Sequence, residues 1–92
     1  MHHAWEGFYY AVRYLVWAPG DIRARLKGAY RDNLMGLVRE ELPADLHKDY
    51  DWIMQMLKRE KPFRNKTGSK IAQRIFSVWE SLEIKRQDDS VP

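Results

Sequence analysis

The chain has 92 residues, of which 45% are hydrophobic, and its sixteen lysines and arginines outnumber thirteen acidic residues, giving a formal net charge of +3. This length suits one domain, and the apolar content suits a packed core and excludes a disordered chain. The absence of cysteine excludes disulfide scaffolds, cysteine zinc sites and thiol nucleophiles. The small excess of positive charge permits an anionic partner without requiring one.

The apolar runs are too short to cross a membrane, the segment 14–18 being typical of them. The first residues lack the basic stretch and long apolar run of a secretion signal. We therefore expect a cytoplasmic protein with no membrane partner.

Apolar residues at helical spacing predict four helices and no strand. The first helix covers about residues 4–17, with an inward stripe of Trp5, Phe8, Tyr9, Val12, Leu15 and Val16. Pro19 and Gly20 then form a turn, and Asp21 is suited to cap the next helix. That second helix covers about residues 21–38, with Ile22, Leu26, Ala29, Tyr30, Leu34 and Leu37 facing inward.

The third helix covers about residues 43–59, starts at Pro43 and buries Leu46, Tyr50, Ile53, Met54 and Leu57. The fourth starts near Ser69 and buries Ile71, Ile75, Val78, Trp79 and Leu82. Residues 85–92 are polar and are predicted to form a flexible tail after a single helical domain of residues 1–84. Short connections between the helices predict an all-α fold, either a compact four-helix bundle or an orthogonal four-helix array.

A second aromatic stripe lies on the first predicted helix. Tyr10, Tyr14 and Trp17 follow one another at i, i+4 and i+7, roughly opposite the core stripe. Either they pack beneath the turn and the last helix, or they form an exposed patch that meets a partner protein. Trp52 and Met56, at i and i+4 on the third helix, form a second candidate patch with the same two interpretations.

The residue types and spacings predict no catalytic site, metal site or cofactor. In the segment 45–51, "DLHKDYD", Asp45 pairs with Asp49 and His47 with Asp51 at i, i+4, so each pair could supply two metal ligands. A metal site needs further ligands, and the sequence offers no obvious second cluster.

The segment 58–70, "KREKPFRNKTGSK", carries six basic residues and one acidic residue. Its basic residues, with Arg74 one turn later, are Lys58, Arg59, Lys61, Arg64, Lys66 and Lys70. Backbone N–H groups at residues 67–69 and the start of the fourth helix would add positive potential, and Phe63 could stack on a base. Weak, sequence-independent binding of nucleic acid or another polyanion is one interpretation, and a solvated connector is the other.

Two segments, "AWEGFYYAVRYLV" at 4–16 and "LPADLHKDYDWIMQML" at 42–57, resemble parts of a family of small, functionally uncharacterised bacterial proteins. The resemblance implies an all-helical fold and assigns no activity. The sequence as a whole predicts a non-enzymatic helical module that binds a partner protein or forms a homodimer. Polyanion binding through the basic connector is the alternative.

Overall fold

The computed structural model of the chain describes residues 2–59 and 62–90. Within this part it contains no β-strand and four α-helices, which are α1 (His2–Trp17), α2 (Ile22–Ala29), α3 (His47–Leu57) and α4 (Asn65–Ser90). The predicted all-α, four-helix fold is confirmed. None of the described helices combines the length and the apolar character that crossing a bilayer needs.

The longest helix, α4, organises the fold. Its 26 residues correspond to about 39 Å of helix, which accounts for most of the 45 Å long axis of the molecule. α1 runs antiparallel along it, so that Trp5 near the start of α1 donates its indole N–H to Glu83 near the end of α4 (2.5 Å). α2 packs against both α1 and α4, and α3 packs against α4.

Every helix contributes fully enclosed side chains to one core. Phe8, Leu26 and Ile53 come from α1, α2 and α3, and Ile71, Ile75, Val78 and Leu82 form a continuous stripe along α4. Burying an aliphatic or aromatic side chain of this size contributes about 1.5–3 kcal/mol. Trp5, Val12, Tyr30, Leu57 and Trp79, also expected inside, are half-buried and pack against this core.

The predicted inward position of Val16 is wrong, since its side chain is 79% exposed. The buried stripe of α1 consists of Ala4, Phe8 and Ala11, with Leu15 half-buried one turn later. Val16 follows Leu15 by one residue, which rotates it by about 100° away from α4. Two small alanines on either side of Phe8 therefore complete the contact face of this helix.

The second predicted helix is interrupted. α2 is followed by a π-helical turn over Tyr30–Leu34, in which the Met35 N–H donates to the Tyr30 carbonyl (2.8 Å). Two short 3-10 turns, Arg39–Glu41 and Ala44–Leu46, then lead to α3. A continuous helix to residue 38 is therefore not formed.

The fourth helix is longer at both ends than predicted. It begins at Asn65, and it continues through Ser90, beyond residue 84, where the sequence predicted a tail. Contacts with other helices accompany the extension. Lys85 forms an ion pair with Asp45 (3.3 Å), and the Arg86 guanidinium lies 4.3 Å from the ring centroid of Trp5.

Candidate functional site

The three residues of the second aromatic stripe on α1 differ in the exposure of their side chains. Tyr10 is 50% and Trp17 67% exposed, whereas Tyr14 is half-buried. The Tyr14 ring lies against Gly28 of α2, and a Cβ at that position would collide with it. Tyr14 thus anchors α1 to α2, and Tyr10 and Trp17 remain on the surface beside a shallow groove of about 360 Å³.

Trp52 and Met56 on α3 are both half-buried against the core. The Arg74 guanidinium covers the Trp52 ring at 4.8 Å from its centroid and forms an ion pair with Asp49 (2.8 Å). The second candidate patch therefore presents less apolar surface than its sequence suggests. Arg74, predicted as an anion ligand, already has a carboxylate partner.

The acidic residues and histidine of the segment 45–51 are engaged in ordinary structural contacts. Asp45 pairs with Lys85, Asp49 with Arg74 and Asp51 with Arg39, and the His47 ring lies in hydrogen-bond contact with the Leu42 carbonyl. Over residues 2–59 and 62–90, no three histidine or carboxylate side chains come together in a way that could hold a metal ion.

An apolar groove of about 580 Å³ lies between α1, α2 and α4 and was missed by the sequence analysis. Its apolar lining comprises Val12, Leu15, Val16, Ile22, Ala72 and Phe76. Val16 projects from one edge, and Phe76, which is 45% exposed, lies on the α4 side. Phe76 is the residue from which an exposed apolar surface could have been predicted, because it is large, apolar and outside the buried stripe of α4.

Arg25 is the charged residue in this apolar groove. One terminal nitrogen, Nη1, donates to the Leu15 carbonyl at the end of α1 (2.7 Å). The Nε atom is enclosed and has no hydrogen-bond partner among the described residues. No described carboxylate forms an ion pair with Arg25.

The described basic residues of the connector are exposed, and residues 67–69, whose N–H groups were expected to add positive potential, lie in the first turns of α4. Gly68 lies inside α4, its N–H donates to the Arg64 carbonyl (2.9 Å), and a Cβ there would approach Ile22 to 3.0 Å and Phe63 to 3.2 Å. The glycine therefore serves close packing. Lys58, Arg59, Arg64, Lys66 and Lys70 are exposed and form no ion pair with described residues, and Lys61 lies outside the described residues.

A second cleft, of about 270 Å³, joins this connector to α2. Its apolar surface comes from Leu57, Pro62 and Phe63, and its cations are Arg23, Lys27 and Arg59. The sequence gives no sign that the cations of α2 lie beside the connector, because only the folded chain brings the two together. We call this site the basic cleft.

Asp21 also lines the basic cleft, and its role there is structural. Its carboxylate caps α2 by accepting the Ala24 N–H (2.9 Å) and pairs with Arg23 (3.3 Å). The hydrogen bond from the Ala24 backbone lowers the pKa of Asp21, so the carboxylate stays ionised at neutral pH.

Comparison of the chain with family models, with curated proteins and with solved structures finds no match. The resemblance to a bacterial family therefore stays a prediction.

Proposed function

We propose that the protein is a small, non-enzymatic helical interaction module that self-associates through the groove between α1, α2 and α4. The groove and its projecting residues, Val16 and Phe76, are called the groove face. The observation that carries the proposal is an apolar depression of about 580 Å³ with exposed apolar side chains at its edges. Such grouped exposure marks an interaction site more often than single scattered residues do.

The groove face is suited to bind a second copy of the chain. A two-fold interface requires one patch to fit itself, so a projecting residue must have a depression beside it. Phe76 and Val16 supply projections and the groove supplies the depression. Tyr10 and Trp17 offer further exposed aromatic surface along α1, of the type enriched where proteins meet.

Charge also favours a second copy. Glu80 lies one turn after Phe76 on α4, is exposed, and has no hydrogen bond or ion pair among the described residues. In a self-associated pair, Glu80 of one copy compensates Arg25 of the other. Such pairs would add a favourable charge contact on each side of the interface.

Sedimentation velocity across a concentration series tests the proposal. We expect the weight-average mass to rise from the monomer value of 11.0 kDa toward twice that value. Val16→Lys should weaken association at least about tenfold, because it places a charge in the apolar contact. Val38→Lys is the matched control, because Val38 is 50% exposed and does not line the groove.

Two results would contradict the proposal. The first is a strict monomer at every concentration tested, which would leave the groove face without the occupant proposed here. The second is an equal loss of association in the Val16→Lys and Val38→Lys variants, since only the first lies on the groove face.

A further inference from the structure

We infer that the basic cleft between α2 and the connector binds single-stranded nucleic acid, with its cations on phosphates and Phe63 against a base. This inference is independent of self-association through the groove face. It rests on a different cavity, formed by Leu57, Pro62, Phe63, Arg23, Lys27 and Arg59.

Two of the three cations of the basic cleft are not paired with an acidic residue among the described residues. Asp45, Asp49 and Asp51 of the flanking segment are each paired with a lysine or arginine outside the cleft. Lys27 and Arg59 form no ion pair with any described residue. Asp21 is the acidic residue that lines the cleft, and it is balanced by Arg23. Among the described residues, therefore, no acidic side chain neutralises Lys27 or Arg59.

The apolar part of the cleft provides the second half of the site. The Phe63 ring lies beside Gly68, where an added Cβ would come within 3.2 Å of it, and the ring also lines the cavity. A cavity of about 270 Å³ has room for one flat group beside this ring. Aromatic rings flanked by cations are the common means of binding single strands, because every base has a face that can stack.

A single strand fits this arrangement better than a duplex. Bases in a duplex are stacked on one another, and a side chain in a cleft reaches them only where a base is splayed out. The cations of α2 and the connector can contact successive phosphates without reading base edges. Binding is therefore expected to be independent of sequence and sensitive to salt.

Fluorescence anisotropy with a labelled single-stranded oligothymidine of about 15 nucleotides tests the site. We expect binding at about 50 mM salt, weakening as salt rises by a log–log slope of about −0.7 for each phosphate engaged. Lys27→Ala/Arg59→Ala should reduce the magnitude of that slope by about 1.4. Arg13→Ala/Lys48→Ala removes the same formal charge from residues that do not line the cleft and should leave the slope nearly unchanged.

Two further variants separate stacking from charge. Phe63→Leu keeps an apolar side chain against Gly68 but lacks a ring, so affinity should fall about tenfold with an unchanged salt slope. Asp21→Asn retains a side chain that can cap α2 and removes the carboxylate from the cleft, so affinity should rise. Circular dichroism and thermal unfolding of each variant establish that the fold is kept.

Several outcomes would overturn the inference. These are no binding at about 50 mM salt, equal effects of the cleft and control double variants, or equal affinity for Phe63→Leu and the native chain. Equal affinity for duplex DNA would overturn the single-strand assignment, and equal competition by polyglutamate would show a general anion site. The Val16→Lys variant should bind the oligonucleotide as the native chain does, which keeps this test separate from that of self-association.

Discussion

Tyr50 fixes the irregular segment before α3 through one buried hydroxyl. The hydroxyl donates to the Leu37 carbonyl (2.9 Å), joining α3 to the chain that follows the π-helical turn. Burial raises the pKa of Tyr50 above its usual 10.0, and the nearby charges of Asp51 and Glu40 add to that effect. The neutral form is thus favoured in the folded state.

The raised pKa of Tyr50 predicts a loss of stability at alkaline pH. Stability from the neutral hydroxyl is fully present below pH 10.0, the unfolded pKa, and is lost as the pH rises through the folded pKa. Below pH 10.0, Tyr50→Phe should cost about 1 kcal/mol through the lost hydrogen bond. Urea unfolding should show the difference between native chain and variant shrinking as the pH rises above 10.0.

A pH-independent difference between the two chains would contradict this assignment. Tyr50 also marks the limit of sequence reasoning at this scale. Its inward position follows from helical spacing, and the structure confirms it. Its partner, the Leu37 carbonyl, could not be predicted, because Leu37 lies in a segment whose path depends on tertiary packing.

At the scale of the element, the sequence predicts the existence of helices better than their limits. The apolar stripe of α4 ends at Leu82, so the sequence places the helix end nearby, yet the helix continues to Ser90. Its last turns contact Asp45 and Trp5, residues far away in the chain. Spacing along one helix carries no information about such partners.

The π-helical turn has a similar origin. Leu34 and Leu37 are both buried, and the Leu37 side chain lies so close to α1 that a Cβ on Gly7 would come within 2.8 Å of it. The apolar spacing of residues 22–37 fits a regular helix, so the sequence gives no sign of the interruption. Packing against α1 decides the local path of the backbone.

Removing residues 85–92 tests whether the last turns of α4 are part of the fold. The truncation deletes the Lys85–Asp45 ion pair and the contact of Arg86 with Trp5. We expect a loss of about 1–2 kcal/mol in the free energy of unfolding, measured by urea titration. Arg86→Ala should account for about half of it.

Asp88→Ala, at an exposed position, is the control and should change stability by less than about 0.5 kcal/mol. Equal stability of the truncated and native chains would show that these turns do not stabilise the fold.

At the scale of the whole molecule, the two cavities emerge only from the packed helices. The groove takes residues from α1, α2 and α4, and the basic cleft joins α2 to the segment after α3. The sequence singled out Tyr10, Trp17 and the basic connector, and it left open whether the two aromatic residues are packed or exposed. It did not place Arg25 in an apolar groove or bring Lys27 to Arg59, because these neighbours are set by how helices cross.

Exchanging the charges of Arg25 and Glu80 tests the self-association proposed for the groove face. Arg25→Glu alone opposes two carboxylates across the interface, and Glu80→Arg alone opposes two guanidinium groups, so each should weaken association at least about tenfold. A two-fold interface joins residue 25 of each copy to residue 80 of the other. An equimolar mixture of the two variants therefore restores both attractive contacts, and sedimentation should show more dimer in the mixture than in either variant alone. Lys48→Glu, an equal charge change on α3, should not associate differently from the native chain. If the mixture associates no better than its components, the contact between Arg25 and Glu80 does not exist, however strongly the native chain dimerises.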